Sequence, residues 1–305
     1  MGNKDRVLAT RTIVLWGIGL VLVAAAAATA LLAVLGGGTP ADSARLDALR
    51  TAASIVVGTG GAAALLLAAR RQRWAELDLE QKEHDALERR VTEMYSKAAD
   101  QLGSDKAPVR LAGLYALERL AQSHQPQRQT IVNVFCAYLR MPFKPGARGG
   151  QEELQVRKTA QRILLLHLRP GSGESESMYW PDIDLDFSGA TLVGLTLTHC
   201  RIRSIVCYET TFYELATLRG TEFRTKADFN RATFRDRADF RGVVFGGDRD
   251  SFNGAGFEGP VDFGSKAEAR LSGATARIGP TRAWPPGWEE RPLADREGWA
   301  ELRRI

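Results

Sequence analysis

Cysteine is nearly absent from this chain, with three in 305 residues. Cys136, Cys200 and Cys207 form neither an even-numbered framework nor a metal-ligand spacing, so neither a disulfide scaffold nor a zinc site is expected. That usage suits a reducing compartment. Histidine is almost as rare, and none of His84, His124, His167 and His199 stands at a metal-binding spacing from an Asp, Glu or Cys. His199 beside Cys200 suggests a nucleophile pair, but neighbours in an extended strand point to opposite faces and do not meet. A Walker loop is missing too: Gly171-Ser172-Gly173 lacks the Gly-Lys-Ser/Thr that would cradle a phosphate, and reads as a linker. Hence no catalytic residue, cofactor or metal is expected, and the chain reads as a non-enzyme.

Dense basic tracts are also lacking. The formal charge is +5, but Lys and Arg are spread along the whole chain, which is not the footprint of a nucleic-acid groove.

What the sequence does contain begins with two uncharged stretches. Residues 12–36 carry no charge over 25 positions, and residues 51–69 none over 19. At about 1.5 Å per residue the first exceeds a hydrocarbon core of roughly 30 Å and the second just reaches it. Two transmembrane helices are therefore expected. Lys4, Arg6 and Arg11 precede the first, and Arg70, Arg71 and Arg73 follow the second, whereas the loop between holds only Arg45 and Arg50. Basic residues resist translocation, so both termini are expected on the cytoplasmic side of the inner (plasma) membrane.

Residues 70–102 contain no Gly or Pro and are rich in good helix formers. Leu87, Val91, Met94, Tyr95, Ala98 and Leu102 recur at three- and four-residue steps, one apolar stripe of an amphipathic helix. Further helices are expected from Val109 through Leu120, from about Thr130 to Leu139 and from Glu152 to Leu168. The Val109–Leu120 segment looks like one unit of a helical repeat, yet no second copy follows, so a small helical bundle is expected.

From Phe187 a different period takes over. Phe187, Leu192, Leu197, Ile202, Cys207 and Phe212 are five apart, and Leu218, Phe223, Phe229, Phe234, Phe240 and Phe245 continue in fives and sixes. Phe252, Phe257 and Phe263 extend the series more loosely, and ten of the chain's twelve phenylalanines fall on it. Two residues before most of them sits something small or modestly apolar, such as Ala190, Cys200, Thr210, Ala216, Thr221, Ala227, Ala232 or Ala238. Neither the helical period of 3.6 nor the strand period of 2 produces this pattern. A chain that turns every five residues, with one large and one small side chain pointing inward, describes a square-sectioned solenoid.

The closest copies are Ala227-Asp228-Phe229-Asn230-Arg231, Ala232-Thr233-Phe234-Arg235-Asp236 and Ala238-Asp239-Phe240-Arg241-Gly242. They resemble the pentapeptide-repeat family, whose tandem Ala-(Asp/Asn)-Leu-x-x units wind a right-handed quadrilateral β-helix. The resemblance covers roughly residues 182–275 and implies about four coils stacked at about 4.8 Å. Members of the family also place a stretch like Gln101-Leu102-Gly103-Ser104-Asp105-Lys106, followed by a leucine-rich helix, between a membrane hairpin and the repeats.

The expected organisation is an α+β membrane protein. It has a cytoplasmic N-terminus at 1–11, spans at 12–36 and 51–69 joined by an external loop at 37–50, and a cytoplasmic helical segment at 70–169. A linker at 170–181, the solenoid at 182–275 and a capping tail at 276–305 follow. Within the tail a short charged helix is expected around Asp295 to Arg304, and Asp182, Asp184 and Asp186 are expected to be solvated at the solenoid entrance.

The expected function is that of a membrane-anchored scaffold or regulatory adaptor that binds a protein partner through the repeats. Its expected partners are the lipid bilayer and a protein, with self-association left open. Some pentapeptide-repeat proteins imitate DNA and inhibit topoisomerases. That role needs a strongly negative surface, whereas residues 182–270 hold 14 Asp plus Glu against 12 Lys plus Arg, so a nucleic-acid-linked role is disfavoured.

Overall fold

The computed structural model describes residues 40–147, 150–171, 173–247, 251–265 and 268–305, with isolated positions between 22 and 33. The chain divides into two units, residues 1–85 and 86–305.

In the first unit, the expected span at 12–36 lies outside the described residues apart from a few helical positions. The expected span at 51–69 falls in helix α1, Pro40–Leu102. Among the described residues, no helix is long and apolar enough to cross a membrane. This overturns the expected two-span membrane fold and the membrane localisation built on it. Absence of charge is a weaker criterion than apolarity: the centre of this stretch, Gly58 to Gly61, contains three glycines, and its length was at the lower limit for a span. Past it the helix is studded with charge and stabilised locally, as by the Lys82–Asp78 pair at 2.6 Å across one turn.

The second unit opens with the last turns of α1, whose Val91, Ala98 and Leu102 are buried while Leu87 and Met94 on the same stripe are exposed. Three helices follow: α2 (Ala107–Ser123), α3 (Arg128–Arg140) and α4 (Gly150–Leu168). Leu114, Leu117 and Leu120 of α2, Ile131, Phe135 and Leu139 of α3, and Val156, Ile163 and Leu164 of α4 converge on one core. Gly113 lets α2 approach α1 closely: a Cβ there would lie 2.8 Å from both the Ala98 carbonyl oxygen and the Leu102 nitrogen. A polar knot ties α2, α3 and α4 together. Glu153 accepts from Arg157 at 2.6 Å and from the Tyr138 hydroxyl at 2.8 Å, and lies 3.2 Å from Arg110.

Among the described residues fifteen short strands follow, of which the first thirteen build a β-solenoid. They are β1 (Asp184–Asp186), β2 (Thr191–Val193), β3 (Arg201–Val206), β4 (Thr211–Tyr213), β5 (Ala216–Thr217), β6 (Glu222–Asp228), β7 (Thr233–Phe234), β8 (Ala238–Asp239) and β9 (Val244–Phe245). After these come β10 (Gly256–Phe257), β11 (Val261–Asp262), β12 (Thr275–Arg277), β13 (Arg282–Ala283), β14 (Trp288–Pro292) and β15 (Trp299–Arg304). All pairings among β1 to β13 are parallel, as a coil stacked on itself requires. One face runs β2-β4-β7-β10-β12, with Thr191, Thr211, Thr233, Gly256 and Thr275 in register, so successive coils take 20, 22, 23 and 19 residues. The extra residue of a longer coil goes to a corner. Between β3 and β6 the register shifts after Ile202, and that bulge absorbs the six-residue step from Phe223 to Phe229. Corner residues adopt positive φ in successive coils, as Gly189 (69°), Glu209 (54°), Arg231 (56°) and Gly254 (68°) do along one edge. Glycine removes the steric cost of that conformation, and the two long side chains there carry it.

Each end of the solenoid carries a covering element on one face. At the first coil, Gln129 of α3 acts as a substitute strand: its amide oxygen accepts from the Asp184 N–H at 2.9 Å and its amide nitrogen donates to the Asp184 carbonyl at 3.0 Å. Trp180 is buried beneath the helices, stacks on His167 with centroids 3.9 Å apart, and donates to Gln122 at 2.9 Å. At the last coil, β15 pairs antiparallel with β12 and with β14. The charged segment expected to be helical is therefore strand, because the open edge of the final coil offers hydrogen bonds that an isolated short helix cannot match. Arg282 takes an inward position of that coil, in register with Val261, and reaches Glu290 of the hairpin at 3.0 Å.

Replacing Phe240, which packs against Phe229, Phe234, Phe252 and Phe263, by alanine should cost about 3–5 kcal/mol. Urea unfolding followed by far-UV circular dichroism measures it, and Phe240→Leu should recover much of the loss.

Candidate functional site

The inward residues of the repeats form columns in which each side chain stacks on its counterpart one coil away. Phe212, Phe234 and Phe257 are one column, with centroids 4.6 and 5.1 Å apart and planes within 7°. Phe229 on Phe252 (4.8 Å) and Phe240 on Phe263 (4.7 Å) are two others. The separation matches the strand spacing of about 4.8 Å, so hydrogen-bond register and ring stacking reinforce each other. Neighbouring columns meet edge to face, as Phe229 and Phe240 do at 81°. Trp284 closes the lattice against Phe257 and Phe263.

Phe187, Leu192, Leu197, Ile202, Cys207, Phe212, Leu218, Phe223, Phe229, Phe234, Phe240, Phe257 and Phe263 are all buried, and Phe245, on the edge strand β9, is half-buried. These residues shape the scaffold, and apart from Phe245 they leave almost none of their surface to a ligand. The small positions are filled just as fully. Where threonine occupies them, its hydroxyl is bonded to the adjacent coil: Thr210 Oγ1 donates to the Phe187 carbonyl at 2.6 Å, and Thr221 Oγ1 to that of Leu197.

Outside, the coils are laced by ion pairs between neighbours on the stack. Arg201 holds Glu222 at 3.0 Å, Arg231 holds Glu209 at 3.2 Å, Arg235 holds Glu258 at 2.8 Å, and Arg203 is bound to Asp184. Arg241 pairs with Asp239 at 2.6 Å and reaches Asp262 at 3.5 Å. The entrance acids expected to be solvated are paired as well: Asp182 with Arg224, Asp184 with Arg203, and Asp186 with Arg140 of α3. Their partners lie one coil away for Asp184, two coils away for Asp182 and on helix α3 for Asp186, which no local reading of the chain reveals. Single exposed apolar side chains, Tyr208, Leu215 and Val244, interrupt the charged surface.

His167 and the three thiols are otherwise occupied or buried, whereas His199 is exposed. His167 is buried, with Nδ1 2.7 Å from the Met178 carbonyl and Nε2 2.8 Å from Glu118, so neither ring nitrogen faces a substrate. Burial pushes the thiols of Cys136 and Cys200 up to about 12 and that of Cys207 well above its usual value. Among the described residues no group of three metal-ligating side chains converges.

Residues 208–255 match the family model described as pentapeptide repeats (9 copies). No curated protein and no solved structure matches the chain.

Two outcomes follow from the buried thiols and paired acids. At pH 8 the native protein should leave all three thiols unreacted with Ellman's reagent, with three released in denaturant, because the thiolate is the nucleophile. The hydrogen bond from Arg203 holds the Asp184 carboxyl below the usual carboxylate range. Its contribution to stability is present above the unfolded value of about 3.9 and is lost as pH falls through the lower folded value. Thermal melts between pH 2 and 6 should therefore show a smaller acid-side drop for Asp184→Asn than for the wild type.

Proposed function

We propose that this pentapeptide-repeat protein is a non-enzymatic scaffold or adaptor whose solenoid presents a rigid surface to a protein partner. The observation that carries this reading is that one sheet edge at each solenoid end is covered, β1 by Gln129 with the helices and β12 by the β14–β15 hairpin. Strand addition is thereby opposed at β1 and at β12, whose open edges are taken by Gln129 and by β15. Recognition is left to side chains displayed on the faces at the fixed pitch of the coils, backed by a core of stacked rings that does not yield. The absence of enzymatic activity is part of the same proposal, supported by the occupied His167 and the buried thiols.

DNA imitation is the weaker reading. The acidic side chains Asp184, Glu209, Glu222, Asp239 and Glu258 each have an arginine of a neighbouring coil, or of their own, against them. A surface neutralised in this way does not offer the phosphate-like array that a nucleic-acid-binding groove selects.

The test is photo-crosslinking in cells with a reactive residue placed at Tyr208, Leu215 or Val244 on the solenoid, or at Lys82 or Lys97 on α1 as reference. A discrete protein adduct from the solenoid sites and not from the reference sites is expected. Adducts arising from α1 alone would transfer the role to the helices and defeat the proposal.

A further inference from the structure

Helix α4 is apolar on two sides. Ile163, Leu164 and Leu168 face the core, whereas Leu165 and Leu166 border an open groove of about 650 Å³ whose far wall is Pro170, Gly171 and Met178. Leu166 is 50% exposed. An exposed leucine is unremarkable alone. Here, however, the leucine pair is bracketed by Arg162 and by Arg169, just beyond the helix end, and both arginines line the groove. Met178 is also part of a neighbouring hollow of about 360 Å³ that holds Tyr115 and Arg119. The Arg162 guanidinium donates to the Tyr115 hydroxyl at 2.9 Å across the two.

The arginines at this place lack the carboxylate partners that many arginines of the solenoid have, although Arg219, Arg237 and Arg277 of the solenoid likewise take part in no ion pair among the described residues. Along the solenoid Arg201, Arg203, Arg224, Arg231, Arg235 and Arg241 each hold a carboxylate. Among the described residues, none of Arg119, Arg162 and Arg169 takes part in an ion pair, and the carboxylate of Glu118 beside them is engaged by His167. Cations without counter-charges around an apolar floor define what complements them.

We infer that this groove is a docking site for an acidic amphipathic helix of a partner protein. The helix would carry two carboxylates seven residues apart, flanking an apolar pair at the third and fourth positions between them. Seven residues of helix rise about 10.5 Å, so one face of the ligand repeats the spacing from Arg162 to Arg169. Its apolar pair covers Leu165, Leu166 and Met178, the usual anchoring of a helix in a groove. Guanidinium groups suit carboxylates through paired N–H donors. The site is on the helices and is independent of the solenoid faces proposed above. Failure of either proposal leaves the other standing.

The experiment uses the full chain and a fluorescein-labelled, end-capped 15-residue peptide of Ala, Gln, Leu and Glu with that pattern, titrated by fluorescence anisotropy. Saturable binding is expected. It should weaken about tenfold or more for Arg162→Glu combined with Arg169→Glu, and again for Leu166→Asp, without change in the thermal melt. Binding to the doubly substituted protein should return for a peptide in which lysines replace the two glutamates. That reversal separates docking from a folding defect, since an unfolded variant would not regain a ligand. The inference is overturned if the peptide fails to saturate up to about 1 mM, or if a scrambled peptide of the same composition binds equally. It is likewise overturned if heparin binds as well and the same substitutions abolish that binding, which would mean general polyanion attraction.

Discussion

The structure depends on one coincidence of lengths: parallel strands sit about 4.8 Å apart, and flat aromatic rings stack at nearly the same distance. A residue that recurs once per coil therefore lands on its own copy with both backbone and side chain at their preferred separation. The Phe212, Phe234 and Phe257 column shows it, with 4.6 and 5.1 Å between rings that lie almost parallel. Each buried phenylalanine contributes about 1.5–3 kcal/mol by leaving water, and its ring contacts add to that. The coils can vary from 19 to 23 residues because surplus residues go to corners, where the columns are not disturbed.

A lattice of this kind makes two demands at its ends. The first strand and the last have unpaired backbone groups, and the outermost rings have one bare face. The chain meets them by different means. A glutamine amide and a helical bundle close the N-terminal coil, with Trp180 and His167 stacked at the seam. An antiparallel hairpin, Trp284 and the Arg282–Glu290 pair close the other. The helices and the solenoid consequently share one continuous core. At β1 and β12 the open edges are occupied, and strands are not added there.

The same geometry accounts for the surface charge. Outward residues one coil apart are neighbours, so an arginine selected at one coil meets a carboxylate at the next, and the solenoid has few net charges to offer. Exposed pairs of this sort add little stability each. Among the described residues, Arg119 and Arg162 of the helices and Arg169 just beyond α4 have no such partner.

The period of five, the alternation of large and small inward residues and the positions of the columns were readable from the chain alone. They are local: a residue's fate depends on neighbours two and five positions away, and the same rule repeats many times. The helices of the bundle were readable for the same reason, through steps of three and four. Charge-free length, also a local property, overstated the case at residues 51–69, because it does not weigh glycine against leucine. Tertiary structure alone decided the rest. Residues 299–304 became strand because an open sheet edge lay beside them. Asp182, Asp184 and Asp186 found arginines 42, 19 and 46 residues away. Gln129 came to stand in for a strand 55 residues downstream, and Leu166 remained uncovered on a helix whose other face is core. Each of these outcomes is set by what another part of the chain brings into contact, and a periodicity carries no information about that.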